Sequence, residues 1–142
     1  MKKAYWVLGA VLIVLIIAAL ALFYFNKGNS PNHEVNGNLV SKYPALNYYG
    51  INESSRLTAK SNMYQLWKNK SLTVGNANLT MVNEKYYCNG NEAQEILYET
   101  YSMGGYVEGG WYSVNVLDCK DYYWIFYFGD SGPEMYGPYN FS

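Results

Sequence analysis

The chain has one histidine, two cysteines and four prolines in 142 residues, and charged side chains make up only 15% of it. Each scarcity removes a class of chemistry. The single histidine, His33, lies in a polar tract rich in Asn, Gly, Ser and Pro and reads as a solvated side chain, so a histidine-based catalytic triad cannot be assembled. Cys88 and Cys119 are not a Cys-x-x-Cys pair, which leaves neither a zinc ribbon nor a redox dithiol. The basic residues form no dense stripe of the kind that phosphate neutralisation needs, and nucleic acid is not an expected partner. Gly104-Gly105 and Gly109-Gly110 lack the strand-loop-helix setting and the Lys-Ser/Thr of a phosphate loop. No cofactor or metal is expected.

Charge is missing altogether from residues 4–25, which are almost wholly apolar and carry Tyr5 and Trp6 at one end and Phe23, Tyr24 and Phe25 at the other. As a helix this run is about 33 Å long, enough to cross a hydrocarbon core of about 30 Å, with aromatic rings at both interfaces. Lys2, Lys3 and the terminal amine precede it and only Lys27 follows closely, which places the N-terminus in the cytoplasm and the rest outside. The alternative is a secretory signal cleaved after Ala21, in Ala19-Leu20-Ala21. Against it, the apolar run continues to Phe25, beyond the roughly 7 to 15 residues usual for a signal. The expected organisation is a cytoplasmic tip and membrane anchor over 1–25, a flexible linker over 26–44, and an extracytoplasmic α+β domain over 45–142.

Outside the membrane two cysteines suggest one disulfide, Cys88 to Cys119. Four tripeptides match the N-glycosylation acceptor, at Asn52, Asn69, Asn78 and Asn140, in agreement with that compartment. Charge is lopsided along the chain. Between residues 39 and 90, Lys42, Arg56, Lys60, Lys68, Lys70 and Lys85 face only Glu53 and Glu84, whereas from residue 91 onward Lys120 is the only base among eight acids. Two halves that pack together and balance each other's field account for this. An acidic face for a cation or basic partner is the alternative.

Periodicity predicts one or two helices on an antiparallel sheet. A helix is expected over 54–70, capped by Ser54 or Ser55, and a second over 91–101, where Asn91 precedes Gln94 in capping-box spacing. Strands are expected at 72–74 and 79–87. The clearest hairpin pairs 111–117 with 122–128. With Leu117 opposite Tyr122, one face holds Tyr112, Val114, Val116, Tyr123, Ile125 and Tyr127, the better core. The other holds Trp111, Ser113, Asn115, Leu117, Tyr122, Trp124, Phe126 and Phe128, a possible aromatic platform for a sugar or peptide unless a helix covers it. A turn at 129–133 leads to a last edge strand with Pro138. Over 91–139, the order of a helix, this hairpin, Asp130-Ser131-Gly132 and a last strand resembles PepSY-type extracytoplasmic domains, and implies that fold order and nothing about function.

The expected function is therefore non-enzymatic binding of a protein, a peptide or an envelope glycan by a single-pass membrane protein. Two other classes stand beside it. A small carboxylate-dependent hydrolase would need Asp118, Asp121, Asp130 and Glu134 to converge, and a structural envelope component would self-associate.

Overall fold

Alternation of period two shapes most of residues 31–103 and 110–141, which are those the computed structural model describes. The expected membrane span over 4–25 and Gly104-Gly105 lie outside the described residues. The chain runs through β1 (Pro31–Val35), short 3₁₀ turns at Gly37–Leu39 and Pro44–Asn47, and α1 (Glu53–Asn69). Four short strands follow, β2 (Ser71–Val74), β3 (Ala77–Val82), β4 (Lys85–Cys88) and β5 (Asn91–Glu92). Longer ones complete it: β6 (Gln94–Met103), β7 (Trp111–Asp118), β8 (Tyr122–Gly129) and β9 (Glu134–Asn140). One sheet has the order β1-β6-β7-β8-β9 and the other β2-β3-β4-β5. The fold is thus α+β and mostly strand, with one helix among the described residues packed against two sheets, where a single sheet was expected.

α1 begins one residue before its expected start, because Asn52 rather than a serine caps it: the Asn52 side-chain oxygen accepts from the Ser55 N–H at 2.7 Å. It ends at Lys70 in the left-handed conformation, φ 58°. The expected strand over 79–87 is instead the hairpin β3–β4, turned by Asn83 and Glu84, both at positive φ as a type I′ turn requires. The second expected helix is overturned. Asn89-Gly90, also both at positive φ, makes the turn from β4 into β5, and Gln94–Met103 pairs with β7. Ile96 packs inward while Glu95 and Leu97 are exposed, so the stretch alternates as a strand does, with a bulge at Tyr98. Ladder pairing along ten residues outweighs the capping signal at Asn91 and Gln94. The element order behind the PepSY resemblance is therefore not the one observed.

The linker expected over 26–44 also extends too far. Pro31–Val35 forms the edge strand β1, Leu39 and Val40 pack against the sheet, and Tyr43 is fully buried. Tyr43 meets Tyr123 edge-on at 5.1 Å, and its hydroxyl donates to Asp118 at 2.7 Å, so an aromatic anchor hidden among polar residues fastens the segment.

β8 lies between β7 and β9 and is buried on both faces from Tyr122 to Phe126. One face packs Tyr123 and Ile125 with Val114, Val116, Tyr43, Leu46 and Ala59. The opposite face packs Trp124 and Phe126 against Met63 and Leu66 of α1 and Leu79 and Cys88 of the four-stranded sheet. The hairpin register is Leu117 to Trp124, two residues from the one expected. A slip of two preserves side-chain parity, so both faces contain the residues assigned to them. The Cys88–Cys119 disulfide joins the two sheets.

Candidate functional site

The aromatic face proposed as a ligand platform is a second core layer. Tyr122, Trp124 and Phe126 are buried, Phe128 is half-buried against them, and Tyr86 meets Phe126 edge-on at 5.0 Å. Met63 and Leu66 of α1 supply the cover. Trp111 alone of the aromatic set is exposed, and Asn115 donates to Glu95 at 2.6 Å with Ser113 half-buried beside it in β7. The physical reason is area: four rings on one sheet face carry too much apolar surface to leave in water when a helix and a second sheet can remove it.

Nor do the four acids converge. Asp118 is opposite Tyr123 on one side of β8, and Glu134 is opposite Tyr127 on the other. Four residues along a strand already separate them by about 13 Å, more than the roughly 5 to 9.5 Å that paired carboxylates of a glycosidase keep. Each is instead held by partners. Asp118 accepts from Lys42 Nζ at 2.8 Å, the Tyr43 hydroxyl, and the Lys120 backbone N–H at 2.8 Å. Burial acts to raise its carboxyl, yet the hydrogen bonds and the Lys42 charge prevail and hold it below the ordinary aspartate range. Glu134, only 2% exposed, accepts from the Tyr136 hydroxyl and from Arg56 at 3.3 Å, with Lys60 at 3.9 Å. It fastens α1 to β9. Among the described residues no three His, Cys, Asp or Glu side chains gather as metal ligands.

A cleft of about 270 Å³ lies between α1 and β9. Its helix side presents Ser54, Ser55, Thr58 and Asn62, and its strand side runs from Met135 to Tyr139. These helix positions follow from spacing: steps of three and four keep them on one flank, beside the buried stripe of Ala59, Met63 and Leu66. Asn62 Nδ2 donates to the Met135 carbonyl at 3.3 Å and closes one end of the strand edge. No side chain of this lining is ionised at neutral pH. Burial raises the Tyr139 phenol to about 12, and burial together with the hydrogen bond to Glu134 raises Tyr136, so both stay neutral. The volume is just under the roughly 300 to 1,000 Å³ of pockets for whole small molecules, and suits a short segment of a longer ligand. None of these helix residues was picked out from sequence. The signal was there, a neutral hydroxyl and amide flank at helical spacing, but it looks like any solvated face until β9 is set opposite.

The sequons divide by setting. Asn52, Asn69 and Asn140 are exposed, whereas Asn78 is half-buried in β3 and its amide donates to Thr73 at 3.0 Å. Fold and site define a small, disulfide-linked α+β domain with a neutral cleft. No family model, curated protein or solved structure matches the chain.

Proposed function

We propose that this is a single-pass membrane protein, N-terminus in the cytoplasm, whose outer domain binds a neutral, hydrogen-bonding segment of a glycan or peptide in the cleft between α1 and β9. The observation that carries the binding reading is the lining itself: three hydroxyls and a carboxamide on the helix face the strand from Met135 to Tyr139, where the Tyr139 ring is half-buried, with no ionised group among them. Such a surface offers donors, acceptors and an aromatic wall, which is the chemistry that grips sugar rings and peptide main chain alike. The compartment reading rests on the apolar run at 4–25 and on the disulfide between Cys88 and Cys119, a bond of oxidising compartments.

The test titrates the full chain in lipid nanodiscs with neutral oligosaccharides and short peptides, following amide shifts. Shifts clustered on residues 54–62 and 135–139, lost in Thr58→Arg without loss of melting temperature, support the reading. Saturable shifts elsewhere that survive Thr58→Arg overturn it. For the compartment, both thiols should resist alkylation in intact cells until a reductant is added.

A further inference from the structure

α1 has two unlike flanks. Opposite the neutral flank of the cleft, Leu57, Tyr64 and Trp67 are 61%, 59% and 44% exposed, an unusual outlay of large apolar surface on a helix that already buries another stripe. Steps of seven and three set these residues on one outward face. Lysines frame them: Lys68 lies over the Tyr64 ring at 5.7 Å and Lys70 ends the helix. Exposed Leu, Tyr and Trp with interleaved lysine is the composition of a helix lying in a bilayer interface, where apolar side chains enter the headgroup boundary and ammonium groups meet anionic lipid.

We propose that this face of α1 docks on the anionic surface of the membrane that holds the chain. The inference rests on the anchoring read from residues 4–25. If the span ends at Phe25, only residues 26–30 precede β1, a tether of about 17 Å at most. A tether that short keeps the domain beside the membrane that holds it. Charge then selects the face. Leu97 and Trp111, exposed on the large sheet, share their sheet face with Glu95, which an anionic surface repels. α1 instead presents Lys68 and Lys70 beside apolar side chains that can insert. Docking there leaves the neutral flank of α1 at the membrane's edge, open to a ligand lying along the surface.

The full chain is reconstituted into phosphatidylcholine vesicles with and without phosphatidylglycerol, carrying lipids brominated near the headgroup. Quenching of Trp67 is taken as the difference between wild type and Trp67→Phe, which removes the signals of the other tryptophans. Expected are strong quenching with phosphatidylglycerol and weak quenching without it. Raising salt from about 0.1 to about 1 M, which shortens the Debye length from about 10 to about 3 Å, should abolish the difference. The exposed double variant Lys68→Glu/Lys70→Glu, with Trp67 retained, should at least halve the quenching. Equal quenching in both vesicle types, or none, overturns the docking, as does protection of α1 amides that grows with protein density, the mark of self-association. Alkaline carbonate extraction reads the anchor separately: a chain that is extracted refutes the anchoring, while Trp67 quenching still decides the docking.

Discussion

Asn52 and Asp118 show how much of this domain's stability rests on single polar side chains placed at the ends of elements. Asn52 satisfies an N–H at the start of α1, and Asn52→Ala should cost about 1 kcal/mol, with Asn52→Asp retaining most of it. Thermal melts would show a fall of roughly 4 °C for the alanine variant. Asp118 acts through its charge. Its carboxyl titrates lower in the folded domain than in the unfolded chain, where aspartate has a pKa of about 3.9. The stability it contributes is therefore complete above about pH 4 and lost as pH falls through the lower folded value. Asp118→Asn should flatten the acid limb of the stability curve while lowering stability at neutral pH, and chemical denaturation between about pH 2 and 7 would reveal both. Lys42 is largely exposed, so salt should weaken its share. Trp124 belongs to another category: wholly buried, it should cost about 3–5 kcal/mol as Trp124→Ala, so lost binding in that variant would report a damaged core rather than a ligand contact.

At the scale of elements, what was legible in the sequence depended on whether a local pattern agreed with its tertiary setting. β8 was plain because seven apolar residues without Gly or Pro had to be covered on both sides, and they are. The β7–β8 faces could be read because side-chain parity survives a register error of two. β6 could not, since Asn91, Glu92 and Gln94 mimic a helix start and only the ladder to β7 reveals the alternation. The cleft was invisible for a related reason: Ser54, Thr58 and Asn62 gain meaning only from β9, more than seventy residues away. β9 itself depends on Gly137. At φ +118° a side chain is strained there, and an added Cβ would lie 3.1 Å from the Tyr123 carbonyl oxygen and 3.2 Å from the Trp124 ring. Gly137→Ala should destabilise the domain by about 1–3 kcal/mol and disturb the strand side of the cleft, so amide shifts at 135–139 should accompany the lower melting temperature.

For the whole molecule, the decisive question is how a small sheet stays joined to a large one. The four-stranded sheet contributes only Ala77, Leu79 and Cys88 to the buried core, whereas the five-stranded sheet is buried on both faces of β8. Burial alone thus holds β2–β5 less firmly. The Cys88–Cys119 bond compensates, tying β4 to the turn after β7 across a sequence separation of 31 residues. In the chain-entropy account a loop of that size is worth about 3–4 kcal/mol, a large part of the 5–15 kcal/mol available to a domain. The double variant Cys88→Ala/Cys119→Ala should lose about that much, and the loss should not be uniform. With the cross-link gone, β3 and β4 retain few apolar contacts and should open in a sub-global step, while β7 and β8, paired on both sides, stay closed. Native-state hydrogen exchange separates these outcomes. Amides of Leu79, Met81 and Tyr87 exchanging faster than those of Val116 and Ile125 in the variant would identify the small sheet as a unit dependent on its disulfide. Equal acceleration at all five would mean that Met63 and Leu66 already weld both sheets into one cooperative core.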